Sequence, residues 1–455
     1  MQRSRVWFIL AVLSVVALML TACPAAAPVS APAGEAPAAG EAAAEAPAGE
    51  AAGEPVTIQI FYPVAVDAPI ADILNGYVEE FQAANPGITV EPVFSGGYPD
   101  VKTAIQTTIE GGGTPPALGV LLATDIYDLV NAGYVAPLDD YLAQAGDDYL
   151  ADFYPAFMAN STYDGQIWSI PFQRSAVVLY YNADLLAEAG LERPDSWASW
   201  VEAMQALTVR DGDTVTRWGV EYSSDWPYWL FQPLAIGAGQ NIIGDSDTEV
   251  YFDTPAVKEA AQFYIDLSAE YGVTPPGVQA NWGQGPTDFA SGQTAMVVHS
   301  TGSLAGILSQ ADFEVGVMPL PGKEPGTYAS VPGGGNIYMM DGVSDAEKDA
   351  AWKFIEFLTE PDRVADFSIQ TGYIAARQSA YDTEAMQAYL ADVPQAADTR
   401  DALQYAEAEF TVQNLGEVRG IFHDYLQRAF NGEMPVDEAM AAAQAAADEA
   451  LEPFR

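Results

Sequence analysis

The sequence predicts an α/β layer fold with a largely parallel sheet. Near its start, β-branched apolar runs alternate with amphipathic stretches in the order strand, helix, strand, helix, strand. Turn residues mark each change of periodicity, and the remainder is dominated by helical patterns that a few short apolar segments interrupt.

The first strand is "VTIQIFYPV" (56–64), where apolar and polar residues alternate among β-branched types. "PIADILNGYVEEFQAANPGI" follows, with Ile70, Ile73, Leu74, Tyr77, Val78 and Phe81 at helical spacing and a stop at Asn85-Pro86-Gly87. "ITVEPVFS" reads as a strand, "YPDVKTAIQTTIEGGG" as a helix closed by glycines, and "PALGVLLA" as a third apolar strand. In open sheets of this kind ligands sit beyond the carboxyl ends of the strands, which singles out Phe61, Tyr62, Gly97, Tyr98 and 123–125. Helical patterns such as "WASWVEAMQALT", "AVKEAAQFYIDLSAEYG" and "DAEKDAAWKFIEFLT" follow, interrupted by "TAMVVHSTGSL" (294–304) and "GGGNIYMM" (333–340).

Length and charge narrow the function classes. The chain has 455 residues, 49% of them hydrophobic, enough for two or three domains. Its net charge of −46, from 63 acidic and 17 basic residues, repels nucleic acid and anionic membranes at long range. The lysines, Lys102, Lys258, Lys323, Lys348 and Lys353, stand singly and form no basic patch. At the N-terminus, Arg3 and Arg5 precede an apolar run from Val6 to Leu20 that closes on "LTAC" at Cys23, the pattern of a secretory signal over 1–23. The run is shorter than the ~20 residues of a bilayer span, which disfavours a transmembrane anchor. Residues 24–54 are near-repeats of Ala, Pro, Gly and Glu, expected to form a disordered, solvated tether. Cys23 is the only cysteine, so the folded part has neither disulfide nor catalytic thiol.

Segments spread along residues 55–455 carry a resemblance: "FQAANPGITVEPVFSGGYPD", "IPFQRSAVVLYYNADLLAEAGL", "SGQTAMVVHSTGSL", "PGGGNIYMM" and "AAWKFIEFLTEPDRVADFSIQTGYIAA". In this order they resemble the extracellular solute-binding proteins of bacterial ABC importers. "GGYPD", the Trp-x-x-Trp of "WPYW" and "QTGYIAA" are most similar to the glycerol-3-phosphate-binding branch. The resemblance implies a two-lobed periplasmic-binding-protein fold of type 2, with the ligand cleft between lobes joined by three crossings near 171–175, 298–301 and 332–336. The first lobe is expected to comprise 55–170 plus 296–335, and the second 176–295 plus 336–455. The "LTAC" ending resembles a bacterial lipoprotein signal, which implies acylation of Cys23 and attachment to the outer face of the cell membrane by lipid alone. The implied partners are a small-molecule solute, two permease subunits and an ATPase subunit, with the chain itself a monomer. No cofactor is expected, and no Walker-type loop is present.

Sugars and polyols offer apolar C–H faces and many hydroxyls, so a site for them needs flat aromatic surfaces and fixed polar groups. Matched residue by residue to the family, the ligand-binding candidates are Tyr98, Trp226, Trp229 and Tyr373; Trp at this spacing also serves as plain core. Arg174 and Ser175 leave a strand-like run at an expected crossing, where the guanidinium either faces a ligand or pairs with a local carboxylate. Thr301, in "HSTGSL", suits ligand oxygens as well as it suits an ordinary helix cap, and Gly334 permits close backbone approach or a flexible hinge. Asp125 is the acid nearest to a family glutamate, although the aligned position reads Ala123. The branch's late arginine before an "LG" step is replaced here by Gln413 or Thr411, with Arg419 further on; unless Arg174 substitutes as the phosphate clamp, this favours a neutral saccharide, polyol or phosphodiester over glycerol phosphate among the expected solutes.

Two other classes compete. A secreted carbohydrate-cleaving hydrolase needs two placed carboxylates, but pairs such as Asp139 and Asp140 carry little information in so acidic a chain. His299 and His423, the only histidines, fall in no metal motif. An adhesive lipoprotein without transport is the third class.

Overall fold

The computed structural model describes residues 55–223 and 225–455. The signal, Cys23 and tether expected over 1–54 lie outside the described residues.

The chain opens with β1 (Val56–Tyr62), α1 (Ile70–Ala84), β2 (Ile88–Phe94), α2 (Tyr98–Glu110) and β3 (Leu118–Leu122). The six apolar residues read at helical spacing in α1 are all buried. Glycine sets where α2 begins: Gly96 adopts φ +95°, and the Asp100 carboxylate accepts the Gly97 N–H at 2.8 Å, so Tyr98 starts the helix rather than sitting in a loop. β1 lies parallel to both β2 and β3.

The fourteen-residue strand β4 (Ser169–Asn182) is buried almost throughout. After α3 (Pro227–Gly237) come β5 (Met296–Ser300), β6 (Val315–Met318) and β7 (Pro332–Met339). β7 inserts between β3 and the first half of β4, antiparallel to both, while the second half of β4 is flanked by β5 and β6, again antiparallel. The sheet is therefore mixed: the expected parallel pairing holds for β1 to β3 and stops there.

This pairing corrects the later lobe boundaries. Residues 296–300 and 315–318 hold the second half of β4, and belong with the second lobe instead of the first. Residues 336–339 continue the first sheet, and α4 (Asp345–Leu358) packs on it: Phe354 and Phe357 stand 4.9 and 5.2 Å from Phe81 of α1, ring centre to ring centre. Ile337, Met339, Phe354 and Phe367 share one core with Ile58, Ile60 and Leu118, so the chain re-enters the first lobe at β7 and stays there through α5 (Pro361–Thr371). A separate core gathers Trp200, Leu230, Phe231, Val298 and Leu320 with the C-terminal helices α6 (Leu415–Phe430) and α7 (Val436–Leu451). Burying each large apolar side chain contributes about 1.5–3 kcal/mol, so each lobe draws on a core of its own.

Candidate functional site

β4 and β7 run side by side between the two cores, with Gly333, Gly334 and Gly335 facing Ser175, Arg174 and Gln173. The three glycines mark where side chains from either lobe approach the strand. A Cβ on Gly333 would stand 2.2 Å from the Trp229 ring, and one on Gly335 2.6 Å from the Tyr98 ring. Gly334 has φ +90°, and a Cβ there would meet the Gln173 carbonyl oxygen at 1.9 Å. The run thus makes room for the protein's own rings, which come from α3 and α2.

Those rings frame a cavity of about 280 Å³. From the first lobe it is lined by Val64, Ala65 and Val66 after β1, by Tyr98 and Pro99 opening α2, by Leu122 ending β3, and by Tyr373. From the second it is lined by Asp225, Trp226, Tyr228 and Trp229 at the start of α3, and by Trp282 and Glu409, while Ser175, Ser300 and Gly334 form the floor where the sheets meet. Trp226 and Trp229 reach one wall because positions three apart share a helix face.

Of the nine candidate residues, six line this cavity: Tyr98, Ser175, Trp226, Trp229, Gly334 and Tyr373. Arg174 does not. Side chains alternate along a strand, so Ser175 faces the cavity and Arg174 turns behind the floor. There it is fully buried, donates to the Gly334 carbonyl at 3.4 Å and Asn336 Oδ1 at 3.3 Å, and stacks on Phe157 at 5.0 Å. Its Nη2 stands 3.7 Å from Glu409 Oε2. Asp125 is held by Lys102 at 2.8 Å; burial raises its pKa, and Lys102 pulls the other way. Thr301 is fully buried, its hydroxyl accepting the Ala176 N–H at 3.1 Å, and the neighbouring Ser300 lines the floor in its place.

Glu409, Asp225 and Trp282 were not legible as site residues. Burial pushes the Glu409 carboxyl up to about 8 against the pull of Arg174, and its Oε2 has no hydrogen-bond partner among the described residues. Trp282 is fixed from several sides. Its indole N–H donates to the Ala65 carbonyl at 2.9 Å, its backbone N–H to the Asp225 carboxylate, and its ring centre lies 3.8 Å from that of His299. His299 is buried, which drives its pKa down to about 3 against the pull of its bond to the Trp282 carbonyl. Since that carbonyl only accepts, Nε2 carries the proton at 2.9 Å and Nδ1 accepts from Ser303 at 2.8 Å. His299 is thus a neutral support for the tryptophan. The one signal available in sequence was that Trp282 stands beside a glycine, in "NWGQG".

Gln413 and Thr411, standing where the branch arginine was expected, tie the lobes together. Gln413 accepts from Asn131 at 2.7 Å and donates to Tyr163 at 3.2 Å, and Thr411 accepts from Asn160 at 2.8 Å. Arg419 of α6 stacks on Trp226 with its guanidinium 5.5 Å from the ring centre.

A family profile described as "Bacterial extracellular solute-binding protein" matches residues 76–394. The sn-glycerol-3-phosphate-binding periplasmic protein UgpB of Pectobacterium atrosepticum is 24% identical over 398 residues, 83% of this chain and 88% of that protein. Its namesake in Escherichia coli strain K12 is 23% identical over 419 residues, 86% and 92% of the two chains. Among solved structures, UgpB of Mycobacterium tuberculosis in complex with glycerophosphocholine superposes with a TM-score of 0.78 at 26% identity, covering 87% of this chain and 99% of that one. The cyclic alpha-maltosyl-1,6-maltose binding protein of Arthrobacter globiformis gives 0.74 at 25% identity, covering 88% and 100%.

Proposed function

The chain belongs to the bacterial extracellular solute-binding proteins, which bind and do not catalyse, and from that premise we propose that it captures a small carbohydrate- or polyol-type solute in the cavity between its lobes. The lobes close on the solute and hand it to two permease subunits driven by a separate ATPase subunit. Acylated at Cys23 and tethered by 24–54, the chain works at the outer face of the membrane. One observation carries the reading: residues from α2, β4, α3, β7 and the segment after α5 meet around one aromatic-walled space of about 280 Å³. That volume suits a solute of monosaccharide size, and the rings offer flat faces for C–H groups.

Relatives named for glycerol phosphate, glycerophosphocholine and cyclic maltosides set the panel to test. Thermal unfolding is followed with glycerol-3-phosphate, glycerophosphodiesters and neutral saccharides. A ligand at a hundredfold excess over its dissociation constant adds about 2.7 kcal/mol of stability. A rise in Tm with at least one member, lost in Trp229→Ala, is the expected result. No shift across a broad panel of such solutes overturns the reading.

A further inference from the structure

The charged side chains on the cavity wall are both acids. Among the described residues, Asp225 and Glu409 line the space and no lysine or arginine does. Arg174 lies behind the floor, engaged by Gly334, Asn336 and Glu409. Arg419 is held against Trp226 and is not a wall residue.

Three of the donors on the aromatic wall are already committed within the protein. The indole N–H groups of Trp229 and Trp282 are given to the Pro332 and Ala65 carbonyls at 2.8 and 2.9 Å, and the Tyr98 hydroxyl is given to Gln173 at 3.0 Å. What the two indoles present is π-surface, with ring centres 5.9 Å apart and planes inclined at 42°. Beside them Glu409, only 3% exposed, lines the same space, while its buried Oε2 is turned toward Arg174 Nη2 at 3.7 Å. π-faces beside an acid, with no cation among the described wall residues, suit a ligand that brings positive charge. The indole quadrupole attracts a cation over its face, and the Asp225 carboxylate beside Trp282 supplies the countercharge. The stacking of Arg419 on Trp226 is the same attraction already satisfied within the protein.

We propose that the cavity selects solutes bearing a positively charged ammonium group next to a hydroxyl, with the ammonium held in the wedge against the inclined faces of Trp229 and Trp282 beside Asp225 and the hydroxyl donated to Glu409. This deepens the solute-capture reading and rests on it.

The test uses a matched pair, choline and its neutral isostere 3,3-dimethylbutan-1-ol, titrated calorimetrically into the purified protein alongside neutral saccharides. Choline is expected to bind at least about tenfold more tightly than the alcohol. Asp225→Asn is expected to shrink that ratio. Trp282→Phe keeps part of the preference and Trp282→Leu removes it, because only aromatic faces hold a cation. Equal binding of choline and alcohol overturns the inference, and so does binding of saccharides without choline, although either leaves solute capture standing. Binding of no solute at all sinks both. Should Trp282→Leu fold poorly, displacement of choline by tetramethylammonium but not by neopentyl alcohol on the unaltered protein supports the same assignment; displacement by both equally counts against it.

Discussion

The two walls of the cavity are built differently. The first-lobe wall is mainly backbone turns and strand ends, Val64 to Val66, Gly97, Pro99 and Leu122, with Tyr98 and Tyr373 as its rings. The second-lobe wall carries all three tryptophans and both carboxylates. On the proposed reading, recognition chemistry is concentrated on one side, and the other side acts as a shaped cover. A solute is expected to settle first on the second lobe, with the first lobe excluding water as it closes.

The sharpest way to break this asymmetry is to truncate one side chain on each wall. Trp229→Ala is expected to weaken solute binding by about 2–4 kcal/mol, a loss of about 30- to 1,000-fold in affinity. Pro99→Ala on the opposite wall is expected to cost less than about 0.5 kcal/mol. Calorimetric titration of both variants reads the ratio, and equal losses would erase the distinction between recognition wall and cover. The glycine run where the walls meet is the next probe. Gly335→Ala places a methyl 2.6 Å from the Tyr98 ring and 2.8 Å from the Leu121 carbonyl, so a destabilisation of about 1–3 kcal/mol in denaturant melts is expected. A run serving only as a flexible joint would tolerate that methyl.

The last probe is a pH dependence set by Glu409. Its folded-state pKa of about 8 lies above the ordinary carboxylate range because of burial, with Arg174 pulling it down and Asp125 pushing it up. The folded form therefore holds a proton that the unfolded chain releases. The stability it confers is complete below about pH 4.5, declines as pH rises, and levels off above about pH 8. The rise from 4.5 to about 8 sets a loss of at most about 5 kcal/mol, seen as the difference between wild-type and Glu409→Gln unfolding free energies across that range. Glu221, raised to about 7 by burial, contributes with the same sign in both proteins and cancels in the comparison. A flat difference would show that Arg174 keeps Glu409 ionised throughout.

Much of the first lobe was legible because its signals are local. The α1 periodicity and the glycines bounding α2 each act within one turn of chain. Tyr98, Trp226, Trp229 and Tyr373 reached the cavity because the family resemblance supplied a spatial convergence that no local pattern contains. The errors follow from sidedness and long-range pairing. Arg174 and Ser175 differ by one step along a strand, and that step separates the floor from the layer behind it. Ser300 and Thr301 differ in the same way. Glu409, Asp225 and Trp282 gained their roles from neighbours more than fifty residues away, as in the Trp282 bond to Ala65 and the Glu409 pairing with Arg174. The later lobe boundaries depended on β7 pairing with β3, which periodicity does not encode.

β4 belongs to both sheets along one unbroken run of backbone. A connecting loop would let either half come apart alone. Here the melting of one half strips ladder partners from a strand that the other half is also using, so disorder spreads through the join instead of stopping at it. The same continuity limits how the halves can travel: they can bend and twist about this strand, but they cannot slide past each other without breaking its register.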